Sequence, residues 1–136
     1  MSRRERRIVK FLFDTDQSQR FGNRWDDVAR DDPTRSALAY LIAQRQGLDA
    51  TTSYRLGMLL HHGERYRRAS QVIWPAIGLH PKSGWLSQAV ADRYLLSIGM
   101  PQKHGTQFHR AADGSLVLVT PASMAERRRL QTEAPN

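Results

Sequence analysis

The chain contains no cysteine among its 136 residues. It therefore cannot form a disulfide scaffold, a thiolate metal site or a cysteine nucleophile, and its composition fits a reducing compartment. It also lacks an apolar run near the roughly 20 residues that span a bilayer. The opening Met-Ser-Arg-Arg-Glu-Arg-Arg has no apolar signal-peptide core behind it. We expect a cytoplasmic protein without a membrane partner.

Several motifs of common enzyme classes are missing as well. No glycine-rich loop enters a helix, so the sequence does not support a phosphate cradle or a dinucleotide site. No serine stands in a nucleophile-elbow context, and the spacing provides no base beside Thr106. A serine-type triad is therefore disfavoured.

Length and charge limit what remains. The length predicts a single domain over 1–136, in which the basic N-terminal few residues and the 131–136 tail are expected to be flexible. The net charge of +8 comes mostly from arginine and is compatible with an anionic partner. A simpler explanation is that many of these arginines are solvated in the terminal segments.

Apolar periodicity predicts a mainly α (α+β) fold of five or six packed helices with a C-terminal β-hairpin. Asp113-Gly114, between two β-prone runs, is a strong hairpin signal. The first predicted helix runs from about Glu5 to Arg20, and the second runs from Asp32-Pro33 to near Gly47 and buries Leu38, Leu41 and Ile42. The third runs from a Thr51 or Thr52 cap to His62, and the fourth from Glu64 to an interruption at Pro75. The last two run from Gly84 to Ile98 and from a Ser123 cap through Met124–Leu130.

The first predicted helix carries a carboxylate on its apolar face. Asp16 follows Leu12 by four residues and Phe13 by three, and Gln17 follows Phe13 by four. A carboxylate in that position costs several kcal/mol unless it is paired, so Asp16 needs a partner. The partner could be an arginine in a structural pair or a group in a functional site.

Two adjacent histidines end the third predicted helix. Neighbouring helical residues point about 100° apart, so His61 and His62 cannot share a face. His62 follows Leu59 by three residues and Met58 by four, which places it at the edge of the apolar stripe. His62 is therefore the better candidate for a buried or pocket position.

A second carboxylate interrupts the apolar stripe formed by Trp85, Ala89, Asp92 and Leu96. Asp92 could brace the loop that follows, or it could orient a histidine as carboxylates do in acid–base sites. That loop, Met-Pro-Gln-Lys-His-Gly-Thr-Gln over 100–107, is dense in polar groups. Its proline and glycine predict a connection that presents those groups to a ligand.

These motifs occur in an order that resembles a widespread bacterial family of uncharacterised domains. The family pattern reads D-Q, Q-H-A, D-R and then G-x-x-Q-x-Y-G-T-Q, and the similarity spans most of the chain. This sequence departs from the pattern at His61 for glutamine, Gly63 for alanine and His104 for tyrosine. The resemblance implies a fold and a site but no reaction. The site positions that it implies are Asp16, Gln17, His62, Asp92, Arg93, Gln102, Gly105, Thr106 and Gln107.

The chemistry of these residues predicts a small enzyme that uses general acid–base catalysis without a cofactor. His62 would carry the proton, Asp16 or Asp92 would orient it, and Arg93 would anchor or stabilise charge. The reaction would be a hydrolysis, an elimination of the lyase type or a rearrangement of a polar small molecule or peptide. The predicted substrate-binding residues are Gln17, Gln102, His104, Thr106 and Gln107.

Three alternatives remain open. His62 and His104 could bind a metal, with His61 or an aspartate as a third ligand. The same polar residues could instead form a buried structural network. A non-enzymatic module could bind nucleic acid, with affinity that falls with salt; its candidate residues are Arg65, Arg67, Arg68, Arg127, Arg128 and Arg129.

Overall fold

The computed structural model describes residues 1–133, except for the side chains of Arg128, Leu130 and residues 131–133. Of the tail predicted to be flexible over 131–136, residues 134–136 lie outside the described residues. The mainly α fold with a C-terminal hairpin is confirmed, and the described residues form six α-helices and two strands. The elements are α1 (Arg3–Phe21), α2 (Trp25–Ile42), α3 (Ala50–His62), α4 (Tyr66–Ile73), a 3-10 turn (Trp74–Ala76), α5 (Ser83–Ser97), β1 (Phe108–Arg110), β2 (Leu116–Leu118) and α6 (Pro121–Glu133).

The chain divides into two compact units, residues 1–87 and 88–136. In the first unit, α3 packs against α1, α2 and α4. Its side chains Leu56, Leu59 and Leu60 are buried and supply the centre of that core. The start of α3 differs from the prediction, because Asp49 and not a threonine is the cap. Its carboxylate accepts a hydrogen bond from the Thr52 N–H at 2.8 Å.

The helix α2 is longer at its start than predicted. It begins at Trp25, with Asp26 and Asp27 in the first turn, and continues through Pro33. Carboxylates in a first turn stabilise the positive end of the helix dipole, which favours this early start. The prediction that a helix starts at Asp32-Pro33 was therefore wrong.

The buried side of α2 also differs from the prediction. Leu38 and Leu41 are exposed, whereas Ser36, Ala39 and Ala43 are buried. The small residues Ser36 and Ala39 allow α2 to approach its neighbours closely at this part of the helix.

Gly63, which follows α3, lies close against α2. A Cβ atom at position 63 would lie 2.1 Å from the Ser36 Cβ. Alanine at position 63 would therefore collide with α2 in this fold. Glycine here is explained by space and not by backbone strain, since its φ is −85°.

We expect Gly63→Ala to lower the free energy of unfolding by about 1–3 kcal/mol, the usual cost of overpacking. Urea unfolding measures this change. Gly84→Ala is the matched control, because its new Cβ would meet no atom within 4 Å. Combining Gly63→Ala with Ser36→Gly should restore most of the lost stability. Equal stability of Gly63→Ala and the natural protein would contradict the close approach.

The second unit contains the predicted hairpin, which is confirmed. The strands are antiparallel, and His109 faces Val117 in the register. Asp113 closes the turn by accepting the Ser115 N–H at 2.9 Å. Leu96, Val119 and Met124 form a buried apolar cluster in this unit.

The cap of α6 lies three residues before the predicted Ser123. α6 begins at Pro121, and Thr120 precedes it. The Ser123 N–H donates to the Thr120 Oγ1 at 3.1 Å, and the Thr120 N–H donates to the Ser123 Oγ at 2.8 Å. Within the described residues, no helix is both long and apolar enough to cross a membrane.

Candidate functional site

Asp16 lies on the buried face of α1, as its spacing predicted, and its side chain is 0% exposed. One oxygen, Oδ2, lies 2.9 Å from the His62 Nδ1 and accepts the Gln17 Nε2–H at 3.0 Å. The other, Oδ1, lies 3.0 Å from the Arg20 Nε and 3.3 Å from the Arg35 Nη2. The buried carboxylate thus has two guanidinium groups and an imidazole as partners.

Two further aspartates, Asp31 and Asp32, belong to this network. The Asp32 Oδ2 lies 2.6 Å from the Arg20 Nη2, and its Oδ1 lies 2.8 Å from the Arg35 Nη2. Arg20 and Arg35 therefore bridge Asp16 and Asp32. The Arg35 Nη1 also lies 3.8 Å from the Asp31 Oδ2, so the Arg35 cation, whose side chain is only 5% exposed, has several carboxylates as partners. Gln19 extends the network by accepting from the Arg35 Nη1 at 2.7 Å.

Arg20, Arg35 and Asp32 were not predicted as site residues. Arg20 carried a usable signal, because it follows Asp16 by four residues on one helix. Arg35 reaches Asp16 only through the packing of α2 against α1, and no local spacing indicates that contact.

The network keeps Asp16 ionised. Burial raises the pKa of a carboxyl, but the hydrogen bond from His62 and the charges of His62 and Arg20 outweigh burial and lower the Asp16 pKa to about 2. An ionised carboxylate only accepts hydrogen bonds, so the His62 Nδ1 must be the donor. When the ring is neutral, its Nε2 therefore carries a lone pair.

His62 lies at an open cleft of about 350 Å³ in the first unit. Its side chain is 17% exposed. Pro33, which also lines the cleft, has no N–H and cannot donate the helical hydrogen bond to the Ala29 carbonyl. The guanidinium of Arg65 lies 5.2 Å from the centre of the Tyr40 ring. The cleft is lined by Ala29, Asp32, Pro33, Ser36, His62, Gly63, Glu64 and Arg65.

Asp92, in the second unit, is also 0% exposed. Its Oδ1 accepts the backbone N–H groups of Lys103 at 2.8 Å and His104 at 2.7 Å. Its Oδ2 accepts the Thr106 N–H at 2.9 Å and the Thr106 hydroxyl at 2.7 Å. Burial opposes the charge of Asp92, but these hydrogen bonds lower its pKa below the ordinary value. Asp92 therefore braces the loop that follows α5, which is the first of the two roles that the sequence left open for it.

The stripe that predicted the position of Asp92 is only partly buried. Ala89 and Leu96 are buried, but Trp85 is exposed. The spacing predicted the face of α5 correctly at Ala89, Asp92 and Leu96 and incorrectly at Trp85, two turns before Asp92.

The glutamines of the 100–107 loop bind the loop itself. The Gln102 Nε2 donates to the carbonyls of Gln107 and Val119, both at 2.8 Å. The Gln102 Oε1 accepts the Gln107 N–H at 3.0 Å. The Gln107 Nε2 donates to the Thr106 Oγ1 at 3.2 Å. These contacts fix the loop against the residue that follows β2.

Two predicted site residues take little part in these networks. The His104 side chain is exposed, and only its backbone N–H contacts Asp92. Arg93 is half-buried, and none of the described residues forms an ion pair with it. Their assigned roles stay predictions.

The predicted site residues thus form two networks, one in each unit. Asp16, Gln17 and His62 meet in the first. The second joins Asp92, Gln102, Thr106 and Gln107. Across the described residues, no three histidine or carboxylate side chains are grouped as metal ligands. A metal bound by His62 and His104 stays a prediction.

The arginines considered for nucleic acid have varied surroundings. Arg67 and Arg127 are exposed. Arg68 donates to the Ala43 carbonyl at 2.8 Å, and Arg129 pairs with Glu126 at 2.6 Å. The side chain of Arg128 lies outside the described residues. Arg68 and Arg129 therefore already have partners within the chain.

Comparison with models of known protein families, with curated proteins and with solved structures gives no significant match for this chain. The resemblance to the bacterial family stays a prediction. Any assignment of function therefore depends on the geometry of the site.

Proposed function

We propose that this protein is a small enzyme that performs general acid–base chemistry on a polar small molecule or peptide, with His62 as the proton carrier. One observation supports the proposal above the others: the Asp16 Oδ2 lies 2.9 Å from the His62 Nδ1, and His62 lies at an open cleft. A buried carboxylate behind an accessible imidazole is the arrangement that acid–base catalysis needs.

In the proposed mechanism, the His62 Nε2 accepts a proton from a substrate hydroxyl, a bound water or an acidic C–H. The ring then becomes an imidazolium whose Nδ1–H still donates to Asp16. The ionised carboxylate stabilises that cation, and the Nε2–H returns the proton to the leaving group or product. The step is compatible with hydrolysis, elimination or rearrangement.

Arg20 and Arg35 have positioning roles in this proposal. Both lie within 3.3 Å of Asp16, where they stabilise its negative charge and fix the orientation of its carboxylate. Asp92 braces the 100–107 loop of the second unit. The size of the cleft and its imidazole, carboxylate and guanidinium groups favour a polar ligand of small-molecule size.

The tautomer of His62 tests the proposal without a known substrate. We expect nitrogen-15 NMR to find neutral His62 with its proton on Nδ1, because Asp16 accepts only at that atom. Asp16→Asn should lose this preference. A His62 ring that carries its proton on Nε2 at neutral pH would contradict the proposal, since Nε2 could not then act as a base.

Activity provides the second test. A panel of esters, amides, lactones and polar substrates of lyases should reveal turnover that falls by about 10²–10⁴-fold in His62→Gln. His61→Gln is the matched control on the same helix, and it introduces the glutamine of the resembled family. Turnover that survives His62→Gln, or that falls equally in both variants, would rule out His62 as the specific proton carrier.

A further inference from the structure

The first unit contains a second cavity of about 420 Å³ that shares no lining residue with the His62 cleft. Gln17, which the sequence predicted to bind substrate, is one of its lining residues. The others are Phe13, Phe21, Thr51, Tyr54, Arg55, His80, Pro81 and Lys82. They come from α1, α3 and the segment before α5.

Aromatic rings form one part of this cavity. Tyr54 and His80 stack with their ring centres 4.2 Å apart and their planes 16° apart. Phe13 meets Tyr54 edge to face, with centres 5.9 Å apart. Stacked and perpendicular rings offer both faces and edges to a further planar group. The cavity therefore suits a flat aromatic ligand.

The charge in the cavity has one sign. Arg55 and Lys82 contribute cations, and none of the nine lining residues is acidic. Burial, followed by the charges of Lys82 and Arg55, lowers the pKa of His80, so both cations act on this ring. The Arg55 Cζ lies 5.9 Å from the centre of the Phe13 ring. An anion in the cavity would have favourable interactions with both cations.

Directional donors accompany the rings and cations. Tyr54 is only 6% exposed, and its hydroxyl can donate a hydrogen bond to a ligand acceptor. The His80 Nδ1 accepts the Lys82 N–H at 3.3 Å, which leaves the His80 Nε2–H as a donor.

We infer that this cavity binds a planar aromatic ligand carrying one anionic group. The ring would lie against Tyr54, His80 and Phe13, and the anion would meet Arg55 and Lys82. A nucleoside monophosphate and an aromatic carboxylate share this chemistry. The inference is independent of the reaction proposed for His62.

Calorimetric titration of the full chain tests the inference with adenosine 5′-monophosphate, 2-naphthoate, adenosine and inorganic phosphate. We expect at least one ring-bearing anion to bind about tenfold or more tightly than adenosine or phosphate alone, because ring and charge contribute together. Tighter binding of the nucleotide identifies a phosphate ligand, and tighter binding of naphthoate identifies a carboxylate. If neither ring-bearing anion binds below about 5 mM, or if phosphate alone binds as tightly, the inference is overturned.

Single substitutions test whether the ligand binds in this cavity. Lys82→Gln and Arg55→Gln should each raise the Kd by about threefold to tenfold, whereas Arg55→Lys should retain most of the affinity. Tyr54→Phe, which keeps the ring, should raise it by about threefold. Lys103→Gln makes the same change as Lys82→Gln on an exposed side chain of the second unit and should leave the Kd unchanged. If Lys82→Gln and Lys103→Gln had equal effects, the ligand would not bind in this cavity.

Discussion

Replacing Asp16 with asparagine is expected to lower the free energy of unfolding by about 3–5 kcal/mol, the usual cost of removing one partner from a buried ion pair. The variant keeps the shape of the side chain but removes the charge that pairs with Arg20 and Arg35. Because Arg35 is buried, water cannot replace the lost partner. Urea unfolding at neutral pH measures the change.

Asp14→Asn is the matched control for this prediction. Asp14 lies on the same helix and pairs with Lys10, but its side chain is 52% exposed. Exposed ion pairs contribute little to stability, so we expect the free energy of unfolding to change by no more than about 0.5 kcal/mol. If the two variants lost similar stability, the Asp16 network would contribute no more than a surface pair.

The pH dependence of stability provides a separate measure of Asp16. Its folded pKa is about 2, below the ordinary 3.8, so its ionised form favours the folded state. That contribution, about 2 kcal/mol, is fully present above pH 4 and is lost as the pH falls towards 2. The stability difference between the natural protein and Asp16→Asn should shrink by about this amount between pH 4 and 2. A constant difference would contradict the lowered pKa.

Asp92→Asn is expected to cost about 3 kcal/mol, because each oxygen of this buried carboxylate accepts two hydrogen bonds and the amide nitrogen that replaces one oxygen cannot accept its pair. The loop should loosen before the rest of the second unit. Amide hydrogen exchange is the most direct measurement. We expect exchange at Lys103, His104 and Thr106 to become about tenfold faster or more.

Asp113→Asn separates this effect from the general loss of a carboxylate. Asp113 accepts two hydrogen bonds from Ser115 in an exposed turn, so its replacement should change stability much less. Unchanged exchange at Lys103, His104 and Thr106 in Asp92→Asn would show that Asp92 does not hold the loop.

Periodicity alone located the most informative polar residues. Asp16 and Asp92 each interrupt an apolar stripe, and both are fully buried. The same reasoning preferred His62 to His61 for an inward position; both side chains are half-buried, and His62 contacts Asp16. These predictions succeeded because a charged residue on an apolar face must acquire partners wherever its helix packs.

The same reasoning failed to predict the buried face of α2. Leu38 and Leu41 were predicted to be buried, yet Ser36 and Ala39 occupy the buried face of α2. The contact between Gly63 and Ser36 requires small residues at that crossing, and hydrophobicity scales do not detect that requirement. The length of α2 was underestimated because Pro33 was interpreted as a helix start, although the helix continues through it.

By itself, the sequence determined a mainly helical chain with a C-terminal hairpin and two carboxylates that need partners, because helical spacing and turn residues are local properties. Only the tertiary structure decided which partners those carboxylates have. Asp16 meets Arg35 and His62 from two other helices, while Asp92 takes backbone donors from its own following loop. The physical reason is that charge pairing depends on distances between elements, and packing, not spacing along the chain, sets those distances.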